Sequence, residues 1–282
     1  MVAKDVKDLL IGVVTGVVSM LPGASGATIL VIFGVYGRLI KDVSHIRECL
    51  LKDLRFVIVI LIGIVIGFFA AAKGLDWLIE DWEIPLMFFF AALIIVQIPV
   101  IKEMGDDGEP ITPWNVAAFI VGFALIMLVM LFGFEGDYEP EGAVGFALMF
   151  LVGIIFGLSK MAPGISASTV LLALGLFEAF TAAVSDLDLR MLLPMGLGLV
   201  FSVLVLSKGI DYGLSKHRKS SYAVILGLTV GSVVDVIYRG VGGFEDDMLL
   251  VVIVCIVVGL AIGYCLNRLA KLYTSENPEQ SR

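Results

Sequence analysis

A proline followed by glycine inside an apolar stretch is the feature that most limits what this chain can become, and it occurs twice. The first copy is Pro22-Gly23-Ala24-Ser25-Gly26-Ala27-Thr28, running on through Gly34-Val35-Tyr36. The second is Pro163-Gly164-Ile165-Ser166-Ala167-Ser168-Thr169, running on through Gly175-Leu176-Phe177. They align without a gap at an offset of 141, half of the 282 residues, and Gly12 and Gly16 fall on Gly153 and Gly157. Proline removes a backbone donor and frees a carbonyl, and glycine permits a sharp turn. At membrane depth such breaks are tolerated where they line a cavity or pack within protein.

The surroundings of both breaks are membrane-like. Apolar runs of about 18 or more residues recur along the chain, and 59% hydrophobic against 16% charged residues is outside the range of soluble domains. The runs are continuous and not alternating, which argues for helices and against a β-barrel. No A-x-A-like site ends the first run, so it does not read as a cleavable signal. Segments fall at 6–40, 54–79, 84–101 and 114–134, and again at 142–182, 190–214, 221–238 and 247–270, before a polar tail. The fold expected is an all-α polytopic membrane protein.

The likeness of the halves extends past the breaks. Lys73-Gly74-Leu75-Asp76-Trp77 matches Lys208-Gly209-Ile210-Asp211-Tyr212 at an offset of 135, and at that offset Gln97 lies over Ser232. Loop charge sets the orientation. Lys4 and Lys7 precede the first segment, and Arg38, Lys41, Arg47, Lys52 and Arg55 follow it, so a single crossing would put one basic group outside. About 35 residues, split in the middle, give two limbs of about 22 Å each, short of a core of about 30 Å. A hairpin that enters and returns, or two short tilted helices, fits. The acidic loops with Glu80, Asp81 and Glu83, and with Glu135, Asp137, Glu139 and Glu141, fall outside, and Lys216-His217-Arg218-Lys219 falls inside. Residues 1–141 and 142–282 are therefore expected to be two inverted-topology repeats, each a broken or re-entrant helical hairpin plus three transmembrane helices, with both termini cytoplasmic.

The breaks suit an anion. Ser25 and Ser166 stand where a new helix would start, with its N–H groups and positive dipole end facing the break. Gly23 and Gly26 allow close approach, and Ser25, Thr28, Ser166, Ser168 and Thr169 add hydroxyls. The structural alternative is a pair of kinks whose hydroxyls bond their own backbone. Lys160 is the only charge between Glu141 and Glu178 and precedes the second break by three residues; snorkelling or a distant partner competes with a role at the site. Pro22, Gly23, Ser25, Gly26, Thr28, Lys160, Pro163, Gly164, Ser166, Ser168 and Thr169 are the candidate binding residues. Arg38 and Glu178 flank the hairpins. Lys73/Asp76 and Lys208/Asp211 read first as local ion pairs, with Asp76 or Asp211 as the candidate coupling site for a proton or sodium ion.

Other chemistry has little support. Cys49, Cys255 and Cys265 lack metal or redox spacing, His45 and His217 lie in basic loops, and no basic array points to nucleic acid. No metal, cofactor or catalytic group is expected, and an enzyme such as a lipid phosphatase lacks a nucleophile with its base near the breaks. A small soluble anion moved by a transporter or channel is the competing function.

At the paired Pro-Gly-x-Ser elements, and over nearly its whole length, the sequence resembles the polyprenyl-phosphate transporter family. The resemblance implies a flippase that moves a polyprenyl-phosphate carrier lipid, of undecaprenyl or dolichyl type, across the cytoplasmic membrane for reuse in envelope synthesis. It implies phosphate held at the breaks with the isoprenoid tail in lipid. The second copy departs from the first at Ala167, which stands where Gly26 would fall.

Overall fold

The computed structural model describes residues 2–36, 38–39, 50–132, 142–161, 166–206, 212–213 and 216–276. Every regular element among them is helical: α1 (Val2–Met20), α2 (Gly26–Ile32), α3 (Leu50–Gly105), α4 (Pro113–Phe132), α5 (Gly142–Met161), α6 (Ala167–Ala173), α7 (Phe177–Ser185), α8 (Leu189–Phe201, continued by a π turn at Ser202–Leu206), α9 (Arg218–Gly242) and α10 (Leu249–Glu276). Among the described residues, four stretches are long and apolar enough to cross a bilayer: Asp53–Gly105, Leu189–Leu206, Arg218–Gly242 and Asp246–Leu272. Pro113–Leu128 and Val144–Ser159 are shorter apolar helices. This is a multi-pass helical membrane protein.

Local sequence explains the ends. Leu21 and Pro22 stop α1, since proline cannot donate and disfavours helical geometry in the residue before it. The chain then turns through Leu21 N–H to Val18 O and Ala24 N–H to Leu21 O, both 3.2 Å, before α2 begins. Asp188 caps α8 by accepting from the Arg190 N–H at 2.9 Å.

The 56 residues of α3 are two limbs, not one rod. Trp82 has non-helical angles (φ −135°, ψ 32°), and Pro85 lies in the opening turns of the second limb, where its missing donor is tolerated. On the first limb Phe68 lies against Gly16, and on the second Leu93 lies against Gly23. A straight helix would separate Phe68 from Leu93 by about 37 Å, whereas Gly16 and Gly23 are only about 10 Å apart along α1. The chain therefore reverses at Trp82, where the sequence shows an acidic loop.

Helices in lipid gain little from hydrophobic burial against one another, so close backbone packing over small residues carries much of their association. A β-carbon on Gly12 would stand 2.4 Å from the Ile60 carbonyl oxygen, and one on Gly63 would stand 2.4 Å from that of Leu9. Gly16 meets Ile64 and Phe68, and Gly67 meets Val13, so α1 and the first limb of α3 run parallel. The second half repeats this: Gly153 meets Met195 and Leu199, Gly157 meets Leu199 and Ser202, and Gly198 meets Phe150 and Ile154. Gly63 and Gly67 become Gly198 and Ser202 at the shift of 135 read from the sequence.

The remaining helices are exchanged between the halves. Gly259 of α10 packs on the Phe89 carbonyl of the second α3 limb, and Gly122 of α4 packs on the Val224 carbonyl of α9, 135 positions after Phe89. That second limb and α9 run antiparallel, with Gly105 against Tyr222 at one end and Phe88 against Gly240 at the other. The largest apolar cluster among the described residues joins both halves through Met20, Phe90, Leu93, Met149, Phe156, Leu171, Phe177 and Phe180.

Outside the membrane-spanning helices, Lys219 clasps the loop between α3 and α4. It lies 2.7 Å from Asp107 Oδ1 and donates to the Glu109 carbonyl. The Lys219 hydrogen bond holds the Asp107 carboxyl below the usual carboxylate range, helped by the Glu109 N–H. A lowered folded-state pKa stabilises above the unfolded value of 3.8 and is lost as pH falls through the folded value. Protection from hydrogen exchange at residues 106–109, relative to the unfolded chain at the same pH, is thus expected to hold from neutral pH down to 3.8 and to fall only below it. In the packed interior, Gly63→Ala is expected to destabilise by about 1–3 kcal/mol in detergent unfolding, because the α1 backbone itself blocks the new methyl.

Candidate functional site

The first break meets the start of α6. The Gly23 N–H donates to Thr169 Oγ1 at 2.7 Å across 146 positions of sequence, and Ser168 Oγ donates to the Ser19 carbonyl at 3.3 Å. Gln97, on the second limb of α3, donates from Nε2 to the Gly23 carbonyl. Both backbone groups of the first Pro-Gly turn are thereby satisfied by side chains from other elements.

Gly23 is required there twice over. Its φ of +75° lies in the left-handed region that favours glycine, and a β-carbon would stand 2.7 Å from the Ile94 nitrogen and the Leu93 carbonyl carbon. The turn rests directly on the helix that carries Gln97.

Between the breaks and α9 lies a small cavity lined by Gln97, Ser166, Thr169, Val170, Ile225, Leu228, Thr229 and Ser232. Its volume of about 10 Å³ is that of one water, so a phosphate group enters only if these elements separate. Thr229 and Ser232 donate to the Ile225 and Leu228 carbonyls one turn back, which leaves their lone pairs facing the cavity lining. Ser166 is buried and its hydroxyl makes no hydrogen bond among the described residues. A wider cavity of about 620 Å³ lies away from the breaks, between the α3–α4 loop and the start of α9, lined in part by Ile101, Phe119, Lys219 and Tyr222.

Of the residues singled out from sequence, Pro22, Gly23, Ser166, Ser168 and Thr169 are buried and close together, and Ser25 and Thr28 are half-buried beside them on the first break. Gly26 packs against the Ser19 hydroxyl, where a β-carbon would come within 1.8 Å. The side chain of Lys160, together with Pro163, Gly164 and Asp211, lies outside the described residues. Arg38 is held away from the breaks: it forms a two-point pair with Asp53 (Nε–Oδ2 3.1 Å, Nη2–Oδ1 2.7 Å) and stacks on Phe56 at 3.9 Å. Glu178 is exposed at the start of α7. The Lys73–Asp76 ion pair expected from their spacing does not form on the first α3 limb.

The capping expectation is corrected in part. Ser166 occupies the N-cap position of α6 but its side chain bonds no helix N–H. Both α2 and α6 are only 7 residues long, so their dipoles are weak and the donors available are hydroxyls and turn amides. Sequence reasoning passed over Gln97, Thr229 and Ser232 as site residues. The signal was present in the alignment of Gln97 with Ser232, two polar residues in otherwise apolar helices.

A multi-pass helical membrane protein whose first Pro-Gly turn is tied to the start of α6 is the class these features define. A family model described as undecaprenyl phosphate translocase-like matches residues 15–240, and the chain belongs to that family. A polyprenyl-phosphate transporter of Staphylococcus aureus is 27% identical over 284 aligned positions, covering 96% of this chain and 97% of the relative. A polyprenyl-phosphate transporter of Vibrio cholerae is 26% identical over 236 positions, covering 78% of this chain and 74% of the relative. No solved structure matches the chain.

Thr169→Val keeps the shape of the side chain but leaves the buried Gly23 N–H without an acceptor. It is expected to cost about 1–3 kcal/mol in unfolding, with Thr169→Ser near wild type.

Proposed function

We propose that this protein is a transporter of polyprenyl phosphate that works as a flippase, with the phosphate taken at the paired Pro-Gly-x-Ser breaks. The observation that carries the reading is the junction itself: Gly23, Gln97, Ser166, Ser168 and Thr169 converge from both halves on one polar point in an apolar body. The family and both named relatives favour a phosphate-bearing polyprenyl lipid as the substrate.

The site needs no covalent chemistry. Hydroxyls and turn amides at the breaks donate to phosphate oxygens, while the isoprenoid tail stays in the bilayer beside the exposed apolar helix faces. In the closed arrangement those donors and acceptors satisfy one another. A phosphate that replaces Thr169 as partner of the Gly23 N–H, and engages Ser166, exchanges one set of hydrogen bonds for another. Opening and closing are then nearly balanced, as translocation requires.

Inverted repeats fit this cycle and account for the packing. The parallel pairs α1 with the first α3 limb and α5 with α8, the exchanged pairs of α4 with α9 and α10 with the second α3 limb, and the antiparallel course of that limb against α9 all correspond under one pseudo-twofold relation. Parallel α1 and first α3 limb require the chain to return between residues 20 and 54, which supports an in-and-back hairpin in the first half. On this reading residues 1–141 and 142–282 are the repeats, the membrane is the cytoplasmic one, and both termini face the cytoplasm. Lys160 and a coupling ion at Asp76 or Asp211 remain part of the proposal.

Reconstituted protein carrying Ser25→Ala and Ser166→Ala is expected to bind and move polyprenyl phosphate about tenfold less well, the loss of one or two hydrogen bonds to a charged group. Unchanged affinity and rate would remove the breaks as the site. Uptake of free phosphate without lipid transport would replace the lipid with a soluble anion.

A further inference from the structure

A buried ion pair on α9 stands apart from the residues at the breaks. Asp235 has no exposed surface; its Oδ1 accepts from Arg239 Nε at 3.1 Å, and its Oδ2 has no hydrogen-bond partner among the described residues. An ionisable group at such depth is costly and marks function more often than packing. Arg239 is one turn further along, with its side chain 34% exposed. It gives Asp235 only Nε, and its two terminal nitrogens have no partner among the described residues. A guanidinium anchored in this way presents a rigid two-nitrogen fork, the geometry that takes phosphate with two parallel hydrogen bonds.

The pair lies on the line that leads to the breaks. Ile225, Thr229 and Ser232 line the small cavity, and Asp235 and Arg239 continue the same face of α9 at spacings of three and four. Arg239 is about 10 Å beyond Ser232 along the axis, toward the end of α9 opposite its basic start at Lys216-His217-Arg218-Lys219. Gly240 and Gly243 next to it rest on Phe88 and Ile84 of the second α3 limb. Glu178 on α7 is close enough to feel the charges of both Arg239 and Glu83. At the shift of 135, Asp235 and Arg239 correspond to Val100 and Met104, so the pair has no counterpart at the other end.

We propose that Arg239, positioned by Asp235, is a receiving subsite for a phosphate monoester at one mouth of the pathway, ahead of the breaks. The inference rests on the transporter reading above and adds direction to it. Loop charge puts this mouth outside, so the subsite collects headgroups from the outer leaflet. Glu178, whose carboxylate feels the Arg239 charge, weakens the net attraction for an anion and keeps the hold brief, as a way station requires. Lipid-linked and free phosphate share this chemistry.

The test uses full-length protein in vesicles, with polyprenyl phosphate supplied to the leaflet at the C-terminal end of α9. Arg239→Gln is expected to raise the half-saturating lipid concentration about tenfold while the maximal rate stays within about twofold. Arg239→Lys recovers part of the affinity, since it keeps the charge without the fork. Asp235→Asn weakens affinity in the same way, and the double variant Asp235→Asn/Arg239→Gln is no worse than Arg239→Gln alone, because Asp235 acts through Arg239. Inorganic phosphate inhibits wild-type transport more than that of Arg239→Gln if the subsite reads the headgroup alone; saturable uptake of phosphate by itself, equally sensitive to Arg239→Gln, assigns the subsite to the free ion. Normal wild-type transport with an unchanged half-saturating concentration in Arg239→Gln overturns the subsite alone. A wild-type protein that moves no polyprenyl phosphate overturns the transporter reading and the subsite with it.

Discussion

A backbone N–H that leaves a helix at membrane depth meets no water, so a break there persists only if another part of the protein supplies the partner. Gly23 states the condition most clearly. Its N–H goes to Thr169 of the opposite half and its carbonyl receives Gln97. Pulling the halves apart would strand the N–H in an apolar interior, while the carbonyl keeps Gln97 of its own half. The same dependence underlies the proposed site, since an anion that supplies acceptors to the freed donors would restore what separation removes.

Position is then a matter of backbone fit. Gly23 lies on the backbone of Leu93 and Ile94, and α1 lies on the first α3 limb through Gly12, Gly16, Gly63 and Gly67. Contacts this close leave no slack for one helix to slide past another by less than a turn. They hold the first break at a set height relative to Gln97. The corresponding contacts of Gly153, Gly157, Gly198 and Ser202 do the same for the second half. Movement that opens the small cavity is therefore expected between these packed pairs and not within them.

Much of this was legible in the sequence because repetition carries information that composition does not. The offsets of 141 and 135 anticipated which glycines would be structurally equivalent, and the acidic stretch Glu80, Asp81 and Glu83 marked the reversal at Trp82. The end of the first helix followed from Pro22. Less legible was anything that depends on partners far apart in the chain. Ser166 has the sequence context of a helix cap, yet its hydroxyl faces the cavity, and Thr169 serves a turn 146 positions away. Lys73 and Asp76 have ion-pair spacing and make none, as a weak attraction between partly exposed side chains does not require one. Asp235 was visible as an acid in an apolar helix, but its isolation and its hold on Arg239 appear only in three dimensions.

Symmetry and direction pull against each other in such a molecule. In the proposed cycle, two equivalent halves meeting at one junction would make a pathway that looks alike from both faces, and a symmetric pathway has no preferred entrance. Direction has to come from residues that break the equivalence. Within the breaks the departures are small, Ala167 for Gly26 and Ser19 facing the position of Lys160. Beyond them they are large: Gln97 with Val100 and Met104 on one helix, Ser232 with Asp235 and Arg239 on its counterpart. The amide of Gln97 closes the first turn, while the shorter Ser232 bonds its own helix. One end of the axis is thus sealed by a neutral hydrogen bond and the other is headed by a cation held in place by a buried acid. An anion meets different chemistry depending on the side from which it arrives, although the backbone around it repeats.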